Sequence, residues 1–240
     1  MSSEVFHFKQ FDVRHDRSSM RVGTDGVLLG AWAGSAQLLS LTTHPSVLDI
    51  GTGCGLIALM LAQRFPAMHI TGIDIDLDSV EQARENVADS PFADRIEIIH
   101  QQLETFTPPT LFSLIVSNPP FYEEDTVGYR ESRNNARHTS SLTFEQLITD
   151  VDRLLCADGV FDVIIPYSAA ERFIGIAAIH DLSLARRCNI KGGETRPVKR
   201  SMLSFTRHPV QTCYTSLTLN DTQGHRSPDY QKLTDDFYLK

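Results

Sequence analysis

The sequence has no apolar run near the roughly 20 residues that a membrane-spanning helix requires. Its opening, MSSEVFHFKQ, has neither the basic nor the apolar stretch of a secretory signal. A cytoplasmic protein with no membrane partner is expected. Cysteine is scarce: Cys54, Cys156, Cys188 and Cys213 lie far apart, without CxxC spacing or an accompanying histidine cluster. This argues against a zinc framework and predicts reduced thiols and no metal. Repeats, low-complexity tracts and Gly/Ser-rich linkers are absent, so neither a solenoid nor a tethered second domain is expected. Positive charge is in deficit, with a net charge of −8. Attraction to nucleic acid comes from neutralising phosphates, so any such partner must meet a local basic face.

What is present suffices for one full core: 240 residues, 41% hydrophobic and 22% charged. From Ser46 onward the β-branched runs VLDI (47–50), HITGID (69–74), RIEIIH (95–100), LFSLIVS (111–117) and VFDVIIP (160–166) alternate with stretches of helical spacing. The helical stretches are Leu56 to Arg64, Ser79 to Val87 with Asp78 or Ser79 as its cap, and Thr143 to Leu155. The alternation predicts an α/β fold, a mostly parallel twisted sheet with helices on both faces. MLSFTR (202–207) and CYTSLTL (213–219) read as adjacent strands joined by a turn at His208 and Pro209, which predicts an antiparallel C-terminal edge. Before the sheet, residues 6–13 read as a small strand, and Thr24 or Asp25 is placed to cap a helix through residues 26–33. The expected division is a segment, 1–45, covering one end of a core formed by 46–240.

VLDIGTGCG (47–55) sets Gly51, Gly53 and Gly55 between an apolar strand and a helix. Such glycines permit a tight turn and close approach of backbone to a ligand. Asp74 ends the next strand, where a carboxylate can accept ribose hydroxyls. The GxGxG spacing differs from the GxGxxG of dinucleotide sites, which weighs against a nicotinamide oxidoreductase. Asp49 fits poorly with a pyrophosphate and better with a cation such as a sulfonium carrying an amino-acid tail. The competing reading makes these ordinary loop and capping residues, with Asp76 or Asp78 as alternatives to Asp74.

The run 111–117 ends in Asn118-Pro119-Pro120-Phe121-Tyr122, on the edge where open α/β sheets bind ligands. Two prolines remove two N–H donors and leave carbonyl acceptors. If the Asn118 oxygen and the Pro119 carbonyl accept both hydrogens of a conjugated amine, its nitrogen can approach tetrahedral geometry as it attacks a methyl group. Preoriented dipoles then meet the developing charge, and no strong base is needed. Phe121 offers a stacking face for a planar base. The plain alternative is a turn followed by a core aromatic. His15 and His138 are assigned surface or hydrogen-bonding roles. Basic residues cluster at Arg14, Arg17 and Arg21; at Arg130, Arg133 and Arg137; at Arg186, Arg187 and Lys191; and at Arg196, Lys199 and Arg200. The second and fourth groups are candidate phosphate contacts, with Tyr129 as an added stacking surface, and solvated loop charge is the competing account.

The chain resembles class I S-adenosylmethionine methyltransferases of the N-P-P-[YF] type. FKQFDVRHDRSSMRVGTDGVLLGAWA (8–33), VLDIGTGCGLIALMLAQR (47–64), VSNPPFY (116–122), RHTSSL (137–142) and FYLK (237–240) are together similar to the bacterial tRNA(Val) adenine-N6 methyltransferases. The resemblance implies a Rossmann-like fold and S-adenosylmethionine as cofactor. It also implies methylation of the tRNA adenosine 3′ of the anticodon. A monomer is expected. It places Asp49, Gly51, Gly53, Gly55 and Asp74 at the cofactor, with Gly23, Thr24 and Asp25 near its methionine end. Asn118, Pro119, Pro120 and Phe121 form the catalytic segment, and Asn118 also borders the cofactor. Arg130, Arg133, Arg137, Arg196, Lys199 and Arg200 are the expected RNA contacts. Gln102 stands where similar enzymes commonly have an acid at the cofactor adenine, and its amide oxygen can accept the same bond. Phe121 replaces the more frequent Tyr, as in guanine-N2 methyltransferases of ribosomal RNA. That activity, methylation of a release-factor glutamine amide and a cofactor-binding scaffold without activity are the alternatives.

Overall fold

A computed structural model describes residues 4–34, 46–120 and 142–239. Five parallel strands follow from the apolar runs: β3 (Ser46–Ile50), β4 (His69–Asp74), β5 (Ile96–His100), β6 (Phe112–Ser117) and β7 (Leu155–Pro166). Every residue of β6 is buried, as expected of a central parallel strand covered on both faces. Helices α2 (Leu56–Arg64), α3 (Leu77–Ala88), α4 (Phe144–Leu154) and α5 (Ala170–Ile179) connect or follow them. The N-terminal α1 (Thr24–Trp32) packs with α2 and with the C-terminal α6 (Pro228–Thr234) on one face, through Leu28, Leu59 and Met60. The other face is closed by α4 and α5 through Leu147, Val151 and Phe173.

The sheet has eight strands in the order β10-β8-β9-β7-β6-β3-β4-β5, where β8 is Ser183–Lys191, β9 is Val198–Thr206 and β10 is Cys213–Thr218. β4 and β5 lie to one side of β3, and β6 and β7 to the other. The chain therefore reverses its direction of travel between β3 and β6, which opens a crevice beyond their carboxyl ends.

The C-terminal part differs from the hairpin that its sequence suggests. β9 and β10 do not pair: β8 lies between them, antiparallel to β9 and parallel to β10. β9 is also antiparallel to β7, so the one strand running against the rest is internal, and the outer edge, β10, is parallel to its neighbour. The sequence hides β8 because SLARRCNIK carries two arginines and a lysine in a buried strand. Arg186 lies 3.9 Å from the Trp32 ring centroid and 3.5 Å from Asp162, and Arg187 donates to Glu171 at 2.6 Å. These contacts offset part of the cost of placing the guanidinium groups there, although Arg186 Nε and Nη2 make no hydrogen bond among the described residues.

The helix starts also differ from those that the sequence suggests. α1 is preceded by Gly23, which supplies no side-chain cap, and Thr24 is already helical. Asp76 caps α3 by accepting the Ser79 N–H at 3.2 Å, while Asp78 and Ser79 lie in the first turn. Residues 6–13 span parts of two strands, β1 (Val5–His7) and β2 (Asp12–Arg14), paired antiparallel. The C-terminal FYL closes on that hairpin: Lys9 N–H donates to the Phe237 carbonyl at 2.8 Å, and Tyr238 bridges to Phe8.

Candidate active site

Gly51, Gly53 and Gly55 all adopt positive φ, +70°, +55° and +82°, a region that residues with an L side chain rarely enter. The loop is tied down by backbone bonds, with the Gly51 and Thr52 N–H groups both donating to the Ile73 carbonyl at 2.9 and 3.0 Å. Gly53 N–H donates to the Asp74 Oδ2 at 2.8 Å, and Asp76 N–H donates to the Asp74 Oδ1 at 2.9 Å. Asp74 is thus fixed beside the loop. Burial raises its pKa, and these N–H groups oppose the shift. Gly72, unremarkable in the sequence, matters here, because a Cβ on it would meet the Thr52 Oγ1 at 2.8 Å.

Thr52 Oγ1 in turn donates to the Asp49 Oδ2 at 2.7 Å. Asp49 is fully buried, and its Oδ1 has no hydrogen-bond partner among the described residues. Burial pushes its pKa up to about 7, against the Thr52 bond.

Beyond the loop lies a cleft of about 390 Å³. Gly51 and Gly53 form one wall, and Gly23, Thr24 and Asp25 at the start of α1 form a second. Asn118, Pro119 and Pro120 close the third, set at the end of β6, whose Ser117 hydroxyl donates to the Ile50 carbonyl at 3.0 Å. The cleft thus unites three separate sequence segments. Met20, Arg21 and Cys54 also line it; they fall within the 8–33 and 47–55 stretches but are not among the expected site residues.

Other expected residues stand outside this lining. Gly55 faces Ala83 of α3, where an added Cβ would lie 3.3 Å from the alanine Cβ, so it brings helix and loop together. Asp49 and Asp74 are bonded to the loop through Thr52 and Gly53. Gln102 is exposed after β5, next to Gln101, whose N–H donates to the Asp74 carbonyl at 3.0 Å. Phe121, Tyr129, Arg130, Arg133, Arg137 and His138 lie outside the described residues.

The N-terminal arm is fastened by polar side chains of α3 that sequence reading passed over. Buried Gln82 accepts the Arg17 and Ser18 N–H groups at 3.2 and 2.9 Å, and donates to Asp16 at 2.6 Å. Buried Asn86 accepts the Arg14 N–H at 2.9 Å and donates at 2.8 Å to the carbonyls of both Arg14 and Cys54. One helix therefore grips the arm and the glycine loop together. His15 has a hydrogen-bonding role: its Nδ1 accepts the Val22 N–H at 2.8 Å.

Among the basic groups, Arg14 and Arg17 pair with Asp89 and Glu85, and Arg186 and Arg187 point into the protein. Arg196 and Lys199 are exposed. Arg200 Nε donates to the Asp25 Oδ2 at 2.8 Å, which joins it to the cleft wall.

Residues 33–165 match the family model of the methyltransferase small domain. Over the full chain the sequence is 45% identical to a tRNA1(Val) (adenine(37)-N6)-methyltransferase of Phocaeicola vulgatus, covering 99% of that protein. A relative of the same name from Flavobacterium psychrophilum is 42% identical, with 98% of this chain and all of the relative covered. One from Proteus mirabilis is 41% identical, with 98% and 93% covered. The chain belongs to this methyltransferase family. Its fold is also that of distant solved methyltransferases. A predicted O-methyltransferase of Agrobacterium tumefaciens superposes with a TM-score of 0.66 at 16% identity, over 89% of this chain and 96% of the other. A glycopeptide N-methyltransferase in complex with S-adenosylmethionine gives 0.55 at 11% identity, over 80% and 91%. The Rossmann-like methyltransferase fold is thus carried by a sheet whose crevice holds the Asn118-Pro119-Pro120 segment. Among the described residues no helix is long and apolar enough to cross a membrane, and no cluster of His, Cys, Asp and Glu suits a metal.

Proposed function

We propose that this methyltransferase transfers a methyl group from S-adenosylmethionine to N6 of adenosine 37 in tRNA1(Val), acting as a cytoplasmic monomer. The observation that carries the reading is the joining of Asn118 and Pro119 to the glycine loop in one cleft, in a chain that matches tRNA-modifying relatives from end to end. The residues fit the cofactor. Asp49 buries an unpartnered carboxylate oxygen next to the loop, a site that favours a nearby cation, and Gly51 opens onto space where a Cβ would meet nothing within 4 Å.

In this reading Gly51 and Gly53 bring backbone against the cofactor, Asp74 accepts its ribose hydroxyls, and Gly23, Thr24 and Asp25 border its methionine end. Gln102 accepts from its adenine amine. Asp49 and Gly55 hold the loop in place from behind. Residues 1–45 act as a cover on the core formed by 46–240. S-adenosylmethionine supplies an electrophilic methyl group on a sulfonium. The Asn118 side-chain oxygen and the Pro119 carbonyl accept the two hydrogens of the substrate amine and turn its nitrogen toward that methyl. Pro120 stiffens the turn, and Phe121 stacks on the adenine. Holding the amine in line provides much of the rate, because the amine's own lone pair is delocalised into the ring. Arg196, Lys199 and Arg200, with Arg130, Arg133 and Arg137, contact phosphates.

The test combines purified protein, cofactor and unmodified tRNA1(Val), with nucleoside mass spectrometry of the product. N6-methyladenosine at position 37 is expected. N2-methylguanosine, or incorporation into no RNA, overturns the reading.

A further inference from the structure

We propose that Tyr167 is a stacking platform for a nucleobase flanking the one that enters the cleft, an inference that rests on reading the substrate as RNA. Tyr167 directly follows Pro166, the last residue of β7. β7 is the neighbour of β6, whose last residue, Ser117, directly precedes Asn118. Pro166 pairs with Arg200 across the sheet, and Arg200 holds Asp25 on the cleft wall. The tyrosine therefore stands on the same edge as the catalytic segment, just beyond the cleft.

Tyr167 is 42% exposed, yet its ring is held. The Arg187 guanidinium lies 5.4 Å from the ring centroid. That arginine is nearly buried, and it donates to Glu171 at 2.6 Å and to Asn189 at 3.0 Å; Asn189 also accepts the Ser201 hydroxyl at 2.8 Å. Burying a guanidinium is costly unless it is well bonded. Fixed in this way, it backs the tyrosine through a cation–π contact and limits its motion. A ring already ordered loses little entropy when a base stacks on it. Stacking is also tolerant of base identity, which suits a flanking nucleotide.

The surroundings supply the matching charge. Lys191 ends β8, Lys199 lies near the start of β9, and exposed Arg196 sits between the two strands. In a chain of net charge −8, this places cations where phosphates on either side of a stacked base would pass. The unpredicted strand β8 makes the arrangement, since it contributes both Arg187 behind the ring and Lys191 at the edge.

The experiment measures affinity for unmodified tRNA, with S-adenosylhomocysteine present so that no transfer occurs, for the full chain and for Tyr167→Phe and Tyr167→Ala. Cofactor affinity and melting temperature are measured alongside. Tyr167→Ala is expected to bind tRNA about tenfold more weakly, Tyr167→Phe within about twofold of wild type, and both to keep cofactor affinity. An abasic substitution at one nucleotide flanking the target should weaken wild-type binding by a similar factor and weaken Tyr167→Ala no further. Unchanged affinity in Tyr167→Ala, with a wild type that binds and methylates tRNA, overturns the platform alone. Equal losses in the Phe and Ala variants also overturn it, because the ring face would then not be the contact. A wild type that neither binds nor methylates tRNA overturns the RNA reading, and the platform with it.

Discussion

Asp49 sits without access to water, with one oxygen bonded to Thr52 and the other to nothing described. With its pKa raised to about 7, the folded chain keeps a proton that the unfolded chain releases near pH 4. This group's contribution to stability therefore falls as pH rises from about 4 to about 7, and the full penalty stands above that. A cationic ligand in the adjacent cleft reverses the preference by favouring the ionised carboxylate. Cofactor affinity should accordingly weaken about tenfold between pH 8 and pH 6, with a much flatter profile in Asp49→Asn, as read by calorimetry. A wild-type profile as flat as that of the variant would remove Asp49 from cofactor binding. Asn118 makes a different demand. If its oxygen serves only the amine, Asn118→Ala should lower kcat by about a hundredfold or more while cofactor affinity stays within about threefold. Retained turnover would show that the Pro119 carbonyl alone suffices. Both residues were legible from sequence because each sits at the end of an apolar strand in a short, unusual run. Thr52, Gly72 and Gln82 were not, since nothing in their neighbours announces a packing or bonding constraint that arises only when the strands pair.

At the level of elements, the parallel strands and α2 to α4 were readable because period and β-branching agree with their burial. β8 and the pairing of β10 were not. Arginines in a strand look like a solvated loop until Trp32, Asp162 and Glu171, distant in sequence, are placed against them. The arm that precedes α1 illustrates the same limit: its 15–19 stretch has little apolar content, and α3 holds it through buried amides. Replacing Gln82 by Leu removes an acceptor shared by two backbone N–H groups. A stability loss of about 1–3 kcal/mol is expected in chemical denaturation. The lip formed by Met20, Arg21 and Asp25 is continuous with this arm, so cofactor KM should rise several-fold with a smaller change in kcat. A destabilised variant with unaltered KM would mean that the arm stabilises the fold without shaping the cleft.

Across the whole molecule, a net charge of −8 coexists with a basic stretch on the catalytic edge, formed by Lys191, Arg196, Lys199 and Arg200. Composition alone could say only that a nucleic-acid partner needed a local basic face. The fold narrows which of its cations face outward: Arg14, Arg17, Arg186 and Arg187 are engaged by carboxylates, Arg200 pairs with Asp25 on the cleft wall, and Arg196 and Lys199 are exposed. In the proposed function, the cleft joining Asn118 to the glycine loop methylates an adenine amine in tRNA. The most direct measurement is the nucleoside profile of tRNA1(Val) incubated with cofactor and either the wild-type chain or Asn118→Ala. N6-methyladenosine at position 37 with the wild type, and its loss with the variant, is the predicted result. A different modified nucleoside, or equal modification by both proteins, would contradict the account.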